Sequence, residues 1–291
     1  MDIENTVRRF SLDKVALLGF LALGLLAAKL LVFTRNEKPL QAGTQLVEAV
    51  KSGEIIKQSA GQKTVMSFLM KNKNNQPVGF IVNQFDVKDS KLRDNSIFYI
   101  QSPLHQERVV SFEGSADLSE FVWKYDAASP YTRASLQTQF GNSVLIVTNF
   151  ELAGREYRLN PQSPWLPDVL VVPVMRNMLD SDISKAILEL LVPEGRLMPA
   201  MISTVKTKDT DYDIVTIEYL GSEGAAEQYT FNKDRTIRQI ETTDGFTFQP
   251  VSIQTILALF PEKADYILHQ FNLLQKQDNE QNDRNIYKNS V

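Results

Sequence analysis

Along most of the chain, apolar residues come in runs of about five to ten, alternating or clustered, with Gly, Asn, Asp and Pro between them. That is the pattern of strands with one or both faces buried. The first run, Thr64–Met70, ends at the polar turn Asn72–Pro77, and Val78–Val87 comes next at hairpin spacing. Ser96–Gln101, Arg108–Phe112, Leu118–Tyr125 and Thr132–Phe140 continue the series. Gly141-Asn142 then leads into Ser143–Phe150, and the glycine-first order predicts a II′-type turn. Ala153-Gly154 turns the chain into Arg155–Leu159. Eight strands at this spacing predict an antiparallel meander.

Asn160–Pro173 breaks the rhythm, because Pro161, Pro164, Pro167 and Pro173 cannot sit inside central strands. Asp168–Leu179 is an apolar stretch carrying Met175 and Met178. Asp180–Leu191 reads as a helix. Ile183, Ala186, Ile187, Leu190 and Leu191 repeat at helical spacing, and Asp180 or Ser181 can cap the start. Gly195–Thr204 has no decisive period. Tyr212–Leu220, Glu227–Phe231 and Thr236–Thr242 read as strands, with turns at Gly221–Gly224 and Asn232–Asp234, and Phe246–Phe248 as a short edge. Beyond Pro250, Ser252–Phe260 and Glu262–Gln275 predict two helices, with Ser252 as N-cap. Their apolar stripes are Ile253, Ile256, Leu257, Phe260 and Ile267, Leu268, Phe271, Leu274. Nearer the start, Thr44–Val50 predicts one or two helical turns stopped at Gly53.

One segment stands apart. Val15–Phe33, VALLGFLALGLLAAKLLVF, is apolar, lacks proline and carries one charge, Lys29. As a helix it would be about 28 Å long, against a bilayer core of about 30 Å. Val15, Leu18, Leu21, Leu25, Leu30 and Phe33 would form the anchor, with Lys29 extending toward the headgroups. Arg8, Arg9 and Lys14 precede the segment, and Arg35 and Lys38 lie beyond it. That bias favours a cytoplasmic N-terminus at the inner membrane and places the chain beyond Phe33 in the periplasm or outside. A cleaved secretory signal is the rival reading. Leu26-Ala27-Ala28 is a loose small-x-small site, but apolar residues continue through Phe33, where a mature terminus should turn polar. A buried helix of a soluble protein is the third.

The expected order is a cytoplasmic lead at residues 1–14, a transmembrane helix at 15–33 and a linker with a short helix at 34–62. A β-rich domain at 63–250, helices at 251–275 and a polar, disordered tail at 276–291 complete it.

With 43% hydrophobic residues among 291, the chain can bury a real core. A formal net charge of −4 argues against nucleic acid as a partner. The absence of cysteine removes disulfides, thiol catalysis and thiolate-held metals. Only His105 and His269 are available as imidazoles, too few for a zinc site. No Walker loop, GxGxxG, GxSxG or HExxH is present. Asp209, Asp211 and Asp213 have the first spacings of a calcium loop, but the glycine and the closing glutamate are misplaced, so a solvated turn is expected. No catalytic residues and no cofactor are assigned on this basis. A glycosidase-type carboxylate pair would leave no spacing to read.

Several phrases carry a resemblance: PVGF at Pro77–Phe80, then YTRASLQTQF, SVLIVTNFEL, REYRL, PWLPDVLVVPVM at Pro164–Met175, DIVTIEYLG and YTFNKDRTIRQIETTDG at Tyr229–Gly245. Over roughly Lys63–Gly245 their order resembles bacterial exported domains of unknown function similar to the lipoprotein-carrier superfamily. The resemblance implies a mainly β (α+β) fold, a curled antiparallel half-barrel around a helix-covered apolar hollow. It brings no active site. The anchor, the strand series and the lack of catalytic residue sets together point to a membrane-tethered binding module for lipid, lipoprotein or an envelope partner, without catalysis. A structural subunit of an envelope or secretion complex is the alternative, and an exported hydrolase with an acid cluster in a cleft is the third. In the first case the loop Pro161–Pro173 and the helix Asp180–Leu191 would lid the hollow, through Trp165, Met175, Met178, Ile183, Ile187 and Leu191. Trp165 and the methionines also suit the filling of an irregular core gap, and that reading is the one favoured.

Overall fold

The computed structural model describes residues 37–57, 64–101, 105–130, 133–221 and 224–270. Two helices open it, α1 at residues 37–51 and α2 at Glu54–Lys57. The strands β1 (Thr64–Lys71), β2 (Pro77–Lys88), β3 (Lys91–Ile100), β4 (Gln106–Ser115), β5 (Phe121–Ala128), β6 (Arg133–Gly141), β7 (Val144–Asn149) and β8 (Arg155–Leu159) come in turn. After β9 (Trp165–Pro167) and α3 (Val171–Asp180) come β10 (Lys185–Val192), β11 (Arg196–Val205), β12 (Tyr212–Tyr219), β13 (Ala226–Asn232), β14 (Ile237–Thr242) and β15 (Thr247–Pro250). Helices α4 (Ile253–Leu259) and α5 (residues 264–270) end the described chain.

Among the described residues, all fifteen strands belong to one sheet, ordered β8-β7-β6-β5-β4-β3-β2-β1-β15-β14-β13-β12-β11-β10-β9. The first eight walk outward from the middle to one edge, as the meander predicts. The chain then crosses to the far edge and returns strand by strand. β15 closes the seam by pairing antiparallel with β1, Phe68 opposite Pro250. The Phe246–Phe248 run, expected at an edge, therefore helps build the centre of the sheet. Its position depends on a partner strand nearly two hundred residues away, which local pattern cannot show.

The sheet curls, and side chains from distant strands meet across the hollow. Trp165 of β9 packs edge-on against Phe140 of β6 and Phe121 of β5, at 5.1 and 6.2 Å between ring centroids. The Tyr157 hydroxyl on β8 donates to the Gly195 carbonyl in the β10–β11 turn at 3.2 Å. Arg108 on β4 pairs with Glu194 of that same turn at 3.2 Å. Among the described residues the sheet stays open, because no strand joins β8 to β9.

Helices fill the concave side. Leu46, Val47 and Val50 of α1, Ile55 and Ile56 of α2, and Val174, Met175, Met178 and Leu179 of α3 share one core with inward residues of the strands. Alternation decides which strand residues those are: Phe112 on β4 and Phe121, Trp123 and Tyr125 on β5 point inward while their neighbours face out. α1 is longer than the single turn or two expected, and belongs to the core rather than to a linker. It also lies very close to the sheet. A Cβ on Gly43 would stand 2.0 Å from the Ile187 carbonyl oxygen of β10.

A smaller cluster covers the convex face, where Ile256, Phe260 and Ile267 pack on Leu69, Phe80, Val82, Ile97 and Tyr99. The Ser252 hydroxyl accepts from the Thr255 N–H at 3.2 Å and caps α4 as expected.

The helix expected over Asp180–Leu191 is instead the end of α3 followed by the strand β10. Nearly every residue from Ala186 to Val192 is buried, whichever face of β10 it occupies. A strand buried on both faces loses its alternation and becomes a continuous apolar run, which helical spacing imitates. The helical turns lie one step earlier, within the Asp168–Leu179 stretch. Gly195–Thr204 resolves as most of β11. Val15–Phe33 with its anchor residues, and the tail Lys276–Val291, fall outside the described residues. Among those described, no helix is long and apolar enough to cross a membrane.

Candidate functional site

α3 does not fill the hollow completely. Between its underside and the sheet lies a cavity of about 290 Å³. Its walls come from β1 to β5 on one limb, β13 and β14 on the other, and the crossover segment Asp168–Arg176. Most of the lining is apolar, including Met66, Phe68, Ile81, Phe85, Val110 and Ile240. The polar exceptions give it character.

Asp94 lies on the inward face of β3, only 6% exposed. Its carboxyl accepts a 2.6 Å hydrogen bond from the Asn83 amide on neighbouring β2. Burial raises its pKa to about 7, against a smaller lowering from Asn83. Asp168 opens the 3₁₀ turn Asp168–Leu170 that leads into α3. It is partly buried, and its carboxyl forms no hydrogen bond or ion pair among the described residues. Burial raises its pKa well above the carboxylate range, and the charges of Glu194, Asp94 and Glu227 add to the rise. Arg176 lies eight residues further along, about 12 Å by helical rise. Its Nε donates to the Arg235 carbonyl at 3.1 Å, and no carboxylate pairs with it among the described residues. Burial lowers its pKa. The cavity thus has an acidic end and a guanidinium end that do not neutralise one another.

The surrounding polar groups are better satisfied. Both oxygens of Glu227 accept tyrosine hydroxyls, Tyr219 at 3.1 Å and Tyr229 at 2.8 Å. Burial, then the Glu227 charge, drive both phenols upward. Arg108 binds Glu194 and Gln106 and lies over the Phe98 ring at 5.1 Å. Its Nε, however, is buried without a hydrogen-bond partner among the described residues. So is the indole N–H of Trp123, a cavity-wall residue only 2% exposed.

Chemically, the site can offer two carboxyls whose burial favours the protonated form, present a positive guanidinium, and enclose an apolar body. A cationic group entering would favour ionisation of Asp168 and Asp94, because an adjacent opposite charge offsets desolvation.

None of the six side chains expected to touch a ligand lines this cavity. Met175, Met178 and Leu191 are fully buried in the main core, and Ile183 packs against it. Trp165 wedges between the sheet's limbs, and Ile187 lies beneath Gly43. His105 and His269 are both away from the cavity. Asp213, expected in a solvated turn, is 3% exposed and held by Lys233 at 2.7 Å and Arg235 at 2.8 Å. Arg235 also reaches Asp180 and the Leu179 carbonyl, which clamps the C-terminal end of α3. Sequence reading missed Asp94, Asp168 and Arg176. The available signal was a lone charge inside an otherwise apolar phrase: Asp168 in PWLPDVLVVPVM, and Asp94 on the parity of Leu92 and Phe98.

No family model and no curated protein matches the chain. Among solved structures, it is similar to a β-barrel-like protein of the domain of unknown function DUF1849 from Brucella abortus, with a TM-score of 0.52 at 8% identity. The match covers 65% of this chain and 96% of that one. At this identity the likeness concerns the fold alone, a curled, barrel-like β-sheet. It supports the expected half-barrel and does not extend to the lipoprotein-carrier superfamily.

Proposed function

We propose that this chain is a membrane-tethered, non-catalytic binding module whose ligand is a small amphipathic molecule held beneath α3. The observation that carries the reading is the cavity itself: an apolar pocket in the concave face, with unpaired acid and base at opposite ends. Small-molecule sites are mostly apolar clefts of about 300–1,000 Å³ with a few convergent polar groups. At about 290 Å³ the cavity lies at the lower limit. That suits one short chain or compact ring with a polar group. It does not suit a lipoprotein with several acyl chains, so the lipid reading narrows to a single chain or a headgroup. The tether rests on Val15–Phe33 and its basic N-terminal flank, which favour the inner membrane with the β-domain outside the cytoplasm. An envelope protein offering an apolar segment is the macromolecular version of the same partner.

The test uses the full chain purified in mild detergent. Solvent extraction followed by mass spectrometry is expected to return one species near one per chain, lost on combining Asp168→Asn with Arg176→Gln. An empty extract, with no thermal shift from amphipathic amines, fatty acids or zwitterions, would sink the reading.

The acid cluster favours a second reading, an exported hydrolase. Asp94 and Asp168 are carboxyls that burial shifts upward, as a general acid requires. Turnover of glycoside or ester probes that disappears with Asp94→Asn and Asp168→Asn would support it.

A further inference from the structure

We propose that two copies of this chain associate through β8, pairing antiparallel about a two-fold axis at Tyr157 to form one continuous sheet. The proposal goes beyond the cavity and does not depend on it.

The sheet has two edges. The β9 edge is blunted, with three residues ending in Pro167. The β8 edge is different. Its five residues, Arg155–Leu159, pair with β7 without a bulge, contain no proline and have no strand on their other side among the described residues. Arg155, Glu156, Tyr157 and Arg158 are all exposed. Neither Glu156 nor Arg158 has an ion-pair partner among the described residues. An edge of this kind carries unused N–H and C=O groups that a further strand can satisfy.

The side chains select a second copy as that strand and fix its register. A two-fold axis perpendicular to the sheet keeps inward residues beside inward residues, so it must pass through a residue position. With the axis at Tyr157, Glu156 of each copy faces Arg158 of the other on the outer face. Arg155 then faces Leu159 on the inner one. With the axis at Glu156 that acid faces itself, and at Arg158 or Arg155 an arginine faces itself. Opposite charges directly across an antiparallel pair are favourable and like charges are not. Of these registers, only the one centred on Tyr157 is complementary. A contact that uses one patch twice is the form expected of a two-fold homodimer.

The test again uses the full chain in detergent, with mass measured by light scattering. Wild type is expected to run as a dimer. Glu156→Arg or Arg158→Glu alone should lower the association constant at least tenfold, and the two exchanged together should restore it. The chain has no cysteine, so one introduced thiol gives a clean register readout. Tyr157→Cys should form a disulfide-linked dimer under mild oxidation, because directly opposed Cβ atoms lie about 5 Å apart. Arg155→Cys should not. Its copies would be four residues out of step, about 13 Å at roughly 3.3 Å per residue, and disulfides need Cα atoms within about 7 Å. A monomeric wild type would overturn the proposal. So would a dimer indifferent to both charge reversals, or equal cross-linking of the two cysteine variants.

Discussion

Replacing Asp94 with asparagine removes a titrating group while keeping its shape and a carbonyl acceptor for the Asn83 amide. The folded carboxyl titrates near pH 7, whereas its ordinary value is 3.8. Its folded-state pKa is raised, so between those values the folded chain binds more protons than the unfolded one. Stability therefore falls as pH rises through that window. The shift is about three pKa units, at about 1.36 kcal/mol each, so the penalty reaches about 4 kcal/mol above pH 7 and is nearly absent at pH 4. Asp94→Asn should consequently match wild type near pH 4 and exceed it by up to about 4 kcal/mol at pH 8. Urea unfolding of both proteins at matched pH values gives the difference directly, with other titrating groups cancelling. A variant less stable than wild type at pH 8, or a difference that does not change with pH, would mean that the carboxyl is ionised and well solvated in the fold. The electrostatic description of the cavity would then be wrong.

Arg235→Ala should cost about 2 kcal/mol, because it leaves buried Asp213 with one cation and releases the end of α3. Burial works against the Asp213 carboxylate, but bonds from Lys233, Arg235 and the Thr207 N–H outweigh it and lower its pKa. The sign is thus opposite to Asp94: this stabilisation holds above the ordinary carboxylate pKa and disappears on acidification, and urea titrations toward pH 3 should show a smaller acid loss in the variant. Phe260→Ala should cost about 3 to 5 kcal/mol by calorimetry, since a ring 2% exposed and 5.2 Å from the Phe80 ring anchors the convex cover. Gly43→Ala should cost about 1 to 3 kcal/mol and leave α1 and β10 less protected from hydrogen exchange than in wild type, because the added methyl drives the helix off the Ile187 carbonyl.

How legible the fold was depends on how local each feature is. The eight-strand meander could be read because each strand pairs with its sequence neighbour and the turns carry their own chemistry. β10 could not, because burial on both faces erased the alternation of Ala186–Val192. The polar first half of β3 hid for the opposite reason. Lys91, Arg93, Asp94 and Asn95 do not look like a strand, yet they pair fully with β2 and β4. That concealment removed Asp94 from view. Trp165, Met175 and Met178 were conspicuous because they are large and flexible, which is also why they serve to fill a core. The cavity lies beside them, under Arg176 and Asp168.

The position of that cavity has a consequence for how the molecule works. Thr64, Met66 and Phe68 of β1 line it from one limb and Ile237 and Ile240 of β14 from the other, while β15 joins the two limbs. The site therefore exists only once β1 and β15 have paired, a contact between the start and the end of the sheet. Pairings of such long sequence separation form late and slowly. They are also where a curled sheet can part without disturbing either meander. A ligand touching both limbs binds the joined sheet and not the parted one, so it stabilises the seam in proportion to its own affinity. Asp94 acts in the reverse direction, because ionising a buried carboxyl in the wall of an empty cavity weakens that wall. Occupancy and pH therefore converge on a single structural element, the β1–β15 seam. Hydrogen-exchange protection factors at Phe68–Lys71 and Thr247–Gln249, which remove the intrinsic pH dependence of exchange, should rise when the cavity is filled and fall as the pH of the empty protein rises from 5 to 8.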